Sequence, residues 1–266
     1  RLEDRRAVGV DVRINGSIVQ LDARREVLLA AGALQSPQIL MLSGIGPAAQ
    51  LQAFGVPVVH DLPGVGLHLH DHIDVVQVVE APKLRELFGI SLSGAMRALP
   101  GVFEWRDKRS GMLTTNFAEA GGFVRSAPGE AVPDIQFHFV IAKLVDHGRA
   151  TVLGNGYSCH VCVLRPKSRG SLALASADPF AAPLIDPAFL KERDDVDRLV
   201  RGFKIMRKVL QQPALAGLGG RESARSSGAL SDEQIEQFVR NHADTVYHPV
   251  GSCRMGPGPL DVVDHE

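Results

Sequence analysis

The residues best suited to chemistry in this 266-residue chain lie near its end. They form the stretch Thr245-Val246-Tyr247-His248-Pro249-Val250-Gly251-Ser252-Cys253-Arg254-Met255-Gly256. Imidazole is the side chain whose unperturbed pKa, about 6.5, suits proton transfer near neutral pH. Proline fixes its own φ and restricts the residue before it, so Pro249 constrains His248, and Gly251 and Gly256 punctuate the loop beyond. A general base needs that kind of fixed placement, which marks His248 as a candidate.

Four other constellations carry chemical residue types. Gly32-Ala33-Leu34-Gln35-Ser36-Pro37-Gln38-Ile39-Leu40-Met41-Leu42-Ser43-Gly44-Ile45-Gly46 joins a glycine that permits close backbone approach to a helix start whose free N–H groups favour an anion. Ligand binding and plain strand–helix packing both fit it. His68-Leu69-His70-Asp71-His72 places three imidazoles on one strand face, a zinc or iron pattern, but no fourth ligand or nearby cysteine accompanies them. A polar loop at a domain junction is the reading taken, and no metal is expected. Cys159-His160-Val161-Cys162 has redox spacing, but its flanks read as strand, and residues three apart on a strand point to opposite faces. No redox or metal role is expected there. His138, on the apolar strand Asp134-Ile135-Gln136-Phe137-His138-Phe139, is either a satisfied core histidine or a pocket residue. Asp74 is either a solvated strand-start residue or an acidic pocket wall.

Periodicity indicates the elements that must position these groups. Val8 to Ile14 alternates as a half-buried strand, Asn15-Gly16 is a hairpin turn, and Ser17 to Leu21 is the return strand. Glu26 to Gly32 is a continuous apolar run ending at glycine, the pattern of a strand buried on both faces. Ser36-Pro37 offers an N-cap and a first-position proline for a helix over Gln38 to Leu42, and a second short helix spans Ala48 to Phe54. Pro63-Gly64-Val65-Gly66 is a loop. Val75 to Val79, Phe117 to Val124, Asp134 to Val140, Gly156 to Leu164 and Gly170 to Ala175 read as strands. Leu92 to Arg106 reads as a helix interrupted at Pro100-Gly101. Glu192 to Gln211 has helical spacing, with Val196, Leu199, Val200, Phe203, Met206 and Leu210 on one stripe. Ser231-Asp232-Glu233-Gln234 opens a last helix with a capping box. The fold class is therefore α+β: a β-loop-α unit, a middle region rich in antiparallel strands, and the His248 loop closing the chain.

Bulk properties narrow the function classes. A net charge of −1 leaves no footprint for nucleic acid or an anionic membrane surface. No apolar run approaches the roughly 20 residues of a membrane helix. Three cysteines, Cys159, Cys162 and Cys253, do not make a disulfide framework and favour a reducing compartment. The start, Arg1-Leu2-Glu3-Asp4-Arg5-Arg6, lacks Met and is charged, so it is read neither as a signal peptide nor as a natural N-terminus.

Taken together, Gly32 to Gly46, Pro63 to His72 and Thr245 to Gly256 resemble the glucose–methanol–choline (GMC) oxidoreductases, FAD-dependent alcohol oxidases and dehydrogenases. The resemblance is collinear from about Ala7 to Gly256, and Arg165 to Gly170 and Ile185-Asp186-Pro187 share in it. Gly111 to Phe123 is most similar to the bacterial choline dehydrogenase and aliphatic alcohol dehydrogenase branch. The resemblance implies that His248 is the catalytic histidine, taking the hydroxyl proton of a primary alcohol while hydride passes to FAD. It assigns Gly32, Ala33, Ser36, Pro37, Val246, Tyr247 and Pro249 to the surroundings of the cofactor, and His138 and Asp74 to the substrate pocket. Asp74 falls where choline-oxidising members carry a longer glutamate facing the trimethylammonium group, and aromatics are only 5% of the chain, both of which argue against choline itself.

The family's opening GxGxxG unit is absent from these residues, and its second catalytic residue is expected past Glu266. The chain is accordingly read as an internal fragment of a longer flavoenzyme. Residues 1–74 are expected to be the second part of an FAD-binding domain, 75–241 an antiparallel substrate domain flanked by helices, and 242–266 the return segment carrying His248. FAD would belong to the full-length parent and be missing from the isolated fragment, whose open FAD-facing surface invites self-association. The partners implied are a small alcohol, choline-like or aliphatic, and an electron acceptor, either O2 or a quinone or other carrier. The implied location is cytoplasmic, with peripheral attachment to the inner membrane as the alternative for the parent. The competing reading is a catalytically inactive α+β binding domain without flavin.

Overall fold

The computed structural model describes residues 1–84, 89–90, 92–145, 149–150 and 152–265. The chain divides into two compact units. The first is assembled from Arg1–Asp71, Ser168–Phe189 and His248–Glu266, the second from His72–Lys167 and Leu190–Tyr247. The stretch expected as one substrate domain, 75–241, is thus interrupted, with Ser168–Phe189 grouped in the first unit. The architecture is mixed helix and sheet, with antiparallel pairing throughout the two larger sheets.

In the first unit, Gly9–Ile14 and Ser17–Asp22 form the expected hairpin. Asn15 and Gly16 both take positive φ (49° and 85°), which an Asn-Gly type I′ turn requires. The strands are not half-buried, however: Ile14 is 48% and Ile18 61% exposed, since no described residue covers their apolar side chains. Glu26 to Gly32 likewise departs from its pattern. It forms no strand, and Leu28 is 81% exposed. A strand buried on both faces needs neighbours at both edges and both faces, and no described strand pairs with this segment.

The following helix starts earlier than expected, at Gly32 rather than Gln38, and runs to Leu42 with Pro37 inside it. Ser36 is therefore not its N-cap, although its hydroxyl accepts the Ala31 N–H (3.1 Å). A second helix, Ala48–Ala53, follows. Met41, Leu51, Val56, Val65, Leu172 and Leu174 close a small core between these helices and the three-stranded sheet Leu184–Asp186, Gly170–Ala173, Leu67–Leu69.

The second unit is built on a seven-stranded sheet. Its main path runs Ala120–Val124, Ile135–Val140, Gly154–Val163, Ile73–Glu80, Arg221–Glu222, with Asp244–Thr245 also paired to Ile73–Glu80 and Gly89–Ile90 to Gly154–Val163. The central register sets Asp74 opposite Cys162, Val76 opposite His160, and His160 opposite His138. Alternation sends Val75, Gln77, Tyr157, Cys159, Val161, Ile135 and Phe137 to one face and Asp74, Val76, Ser158, His160, Cys162 and His138 to the other.

Helix Arg193–Leu210 covers the first of these faces. Val196, Leu199, Phe203 and Met206 are fully buried, and Gly202 lies where a Cβ would stand 2.8 Å from Val161 and 3.1 Å from Ile135. Asp194 and Asp195 in its first turn, and Arg207 and Lys208 in its last, match the helix dipole. Helix Asp232–His242 carries the expected capping box between Ser231 and Gln234 and packs Phe238 on Phe203 at 5.5 Å between ring centroids. Helix Leu92–Lys108 is not interrupted at Pro100-Gly101. It continues through Pro100, while Gly101 rests 3.3 Å, at its Cβ position, from Met112. Proline removes one hydrogen bond and kinks a helix without having to end it.

Candidate active site

Main-chain hydrogen bonds and one hydroxyl tether the His248 loop of the first unit. The His248 N–H donates to Asp71 Oδ1 (2.9 Å). His70 and Val250 exchange both of their main-chain hydrogen bonds, N–H to O, at 3.0 and 2.9 Å. The Gly66 N–H donates to the Ser252 carbonyl (2.8 Å). The Ser252 hydroxyl, 1% exposed, donates to the Ala33 carbonyl inside helix Gly32–Leu42.

That last bond explains Pro37. An α-helix would satisfy the Ala33 carbonyl with the N–H of residue 37, and proline has none. The acceptor left over in the helix ties down the loop instead. Gly251 sits at φ 94°, with its Cβ direction blocked 2.3 Å away by the His68 carbonyl. His68 itself is held below the ordinary imidazole range, first by burial and then by Arg254 and Arg169, with Asp261 opposing.

His248 and Tyr247 are exposed, and Tyr247 adopts a left-handed φ of 66°. Just before them, in the second unit, Asp244–Thr245 pairs with Ile73–Glu80 and the Val246 N–H donates to the His72 carbonyl (3.1 Å).

A cavity of about 650 Å³ lies beside this loop within the first unit, lined by Ala31, Gly32, Ala33, Gln38, Phe180 and Pro249 among others. Helix Gly32–Leu42 begins there without a side-chain cap, so its first N–H groups lack helix partners. Gly32 has φ 79°, and its Cβ direction opens into empty space. The start of this helix can therefore take a polar or anionic group. Ser36 bonds the backbone ahead of the helix and Pro37 frees the Ala33 carbonyl, so both serve the helix and its tether.

In the second unit the polar sheet face gathers Asp74, His160 and His138. Asp74 is fully buried, and its Oδ2 stands 2.5 Å from His160 Nδ1. His138 meets the His160 ring edge-on at 6.4 Å. His160 is the residue that sequence reasoning passed over, because Cys159-His160-Val161-Cys162 was read for its thiols. The alternation that separates the two cysteines puts His160 beside His138. Cys159 is buried and its thiol is pushed up to about 12 by burial. The three histidines of His68 to His72 do separate jobs: His70 Nδ1 bonds the His68 carbonyl and His72 Nε2 the Leu164 carbonyl, both at 2.8 Å. Among the described residues no group of three His, Cys, Asp or Glu side chains is disposed to hold a metal, and no helix is long and apolar enough to cross a membrane.

Models of the family described as GMC oxidoreductase match residues 1–74 and 166–266. The chain is 44% identical over 265 residues to a protein of Pseudomonas putida named alcohol dehydrogenase [acceptor], covering 98% of this chain and 48% of that protein. It is 42% identical over 269 residues to the human mitochondrial choline dehydrogenase, covering 98% of this chain and 44% of that protein. Among solved structures, pyridoxine 4-oxidase from Mesorbium loti superposes with a TM-score of 0.78 at 27% identity, over 100% of this chain and 48% of that one. The chain thus spans about half the length of the curated relatives it matches.

Proposed function

Because the chain belongs to the GMC oxidoreductase family, we propose that it is part of a longer FAD-dependent enzyme that oxidises a primary alcohol to the aldehyde, with His248 as the base. The observation that carries this reading is the tethered His248 loop: an exposed imidazole on a backbone fixed by Asp71, His70 and Ala33, next to a cavity bordered by an uncapped helix start. The names of the similar P. putida and human proteins support an alcohol donor.

FAD, when bound, supplies the hydride acceptor. The chain's own part is to hold Gly32, Ala33 and Pro249 against that cofactor and to present His248 to the substrate hydroxyl. At neutral pH an imidazole can take the hydroxyl proton as the carbinol hydrogen leaves, a contribution on the order of 10²–10⁴-fold. The resemblance assigns His138, on the second unit's polar sheet face, to the substrate pocket, and Val246 and Tyr247 to the surroundings of the cofactor.

The test is His248→Ala in the full-length protein, followed by stopped-flow measurement of flavin reduction with a primary alcohol. Reduction should slow by roughly 10²–10⁴-fold while the protein stays folded. Near wild-type reduction would remove His248 from the role.

A further inference from the structure

We propose that His160 masks the Asp74 carboxylate, so that the polar face of the second unit's sheet selects a neutral alcohol over a cationic one. The proposal rests on the alcohol-oxidation reading and specifies its substrate class.

The ladder makes the masking necessary. Asp74 stands directly opposite Asp244, and residues opposite one another in an antiparallel pair point to the same face. Two carboxylates on one rung repel unless each has a counter-group. Asp244 is ion-paired with Arg149. Asp74 has His160, whose Nδ1 lies 2.5 Å from Oδ2. Asp74 is 0% and His160 4% exposed, so the carboxylate is sealed behind an imidazole and is not offered to a ligand.

The next acidic side chain, Glu222, is gripped by Arg207 at 2.8 and 3.0 Å, and its partner Gln77 belongs to the opposite face. Neither acid on the Asp74–Asp244 rung is left to balance an incoming positive charge. The two central strands carry only Asp74, Val76, Val78, Ser158, His160 and Cys162 on this face, and among the described strands of the sheet a single phenyl ring shares it, Phe123 opposite Gln136, short of the several aromatic walls that hold a quaternary ammonium group. What the face presents beside His160 is the imidazole of His138, a group that hydrogen-bonds a neutral partner. His160 is on this view a positioning residue acting through Asp74, since removing one partner of a buried hydrogen-bonded pair leaves the carboxylate open to any cation that can reach it.

The probes are choline and its uncharged isostere 3,3-dimethylbutan-1-ol, used with the full-length holoenzyme. Dissociation constants are measured by calorimetry, and kcat/KM by flavin reduction. The wild type should prefer the neutral alcohol. His160→Leu should move the preference toward choline by roughly tenfold, and His160→Asn, whose amide can donate from near the Nδ1 position, should restore it. Asp74→Asn should leave the preference within about twofold, because the carboxylate it replaces is already sealed behind the His160 ring.

The proposal is overturned if the wild type binds choline more tightly, or if Asp74→Asn costs choline binding roughly tenfold. It is equally overturned if a folded His160→Leu protein keeps the wild-type preference. Should His160→Leu fail to fold, Asp74→Asn decides the matter alone. A protein whose flavin no alcohol reduces would refute the alcohol reading instead, while the two dissociation constants would still judge the charge preference.

Discussion

Gly251 holds φ 94° with the His68 carbonyl oxygen 2.3 Å from where a Cβ would stand. Any side chain there must displace the strand that fixes the His248 loop, and the positive φ adds its own strain. Gly251→Ala is expected to cost about 1–3 kcal/mol. It should also slow flavin reduction in the full-length enzyme more than a surface substitution does. Thermal unfolding and stopped-flow traces on the same preparation check both, and an unchanged melting temperature would contradict the tether as described. His248 stands out in the sequence through its proline and glycine neighbours. The tether does not: it depends on a carbonyl that Pro37 releases some two hundred residues earlier in the chain, and only the folded chain brings Ser252 to Ala33.

Helix Arg193–Leu210 is the element that closes the second unit's core, and Gly202 lets it approach the sheet. A Cβ at 202 would stand 2.8 Å from Val161 Cγ2, a branched methyl that the surrounding strand keeps from swinging aside. Gly202→Ala should therefore destabilise by about 1–3 kcal/mol through overpacking, seen as a lower urea midpoint with an unchanged slope. Unchanged stability would mean that the helix has room to move off the sheet. This helix, the capping box at Ser231 and the hairpin turn at Asn15-Gly16 could be read beforehand because each is specified by residues a few positions apart. Glu26 to Gly32 could not. Burial on both faces belongs to a segment's neighbours, and its apolar run is the same whether or not they are present. His160 was hidden for a different reason: alternation within one strand does not say which residue a neighbouring strand sets beside it, so neither His138 nor Asp74, 86 residues earlier, could be read as its neighbour.

At the scale of the whole molecule the chain passes between its units four times, at 71/72, 167/168, 189/190 and 247/248. Neither unit is a continuous piece of sequence. The strands of 72–167 leave the apolar side of their sheet to be covered by Val196, Leu199, Phe203 and Met206 from a later segment, each worth roughly 1.5–3 kcal/mol of burial. Residues 72–167 expressed alone should therefore melt without a cooperative transition, and joining 190–247 to them through a flexible linker should restore one. Calorimetry distinguishes the outcomes, and a sharp transition from 72–167 alone would refute the division of labour between these segments.

The bond from Asp71 to position 248 reaches the main chain and not the imidazole. Every residue except proline carries that N–H, so this one anchor is kept whatever other residue stands at 248. A carboxylate, a thiol or an amine installed there would still be tied to Asp71 through its main chain, so the group at 248 can be exchanged without cutting this tether.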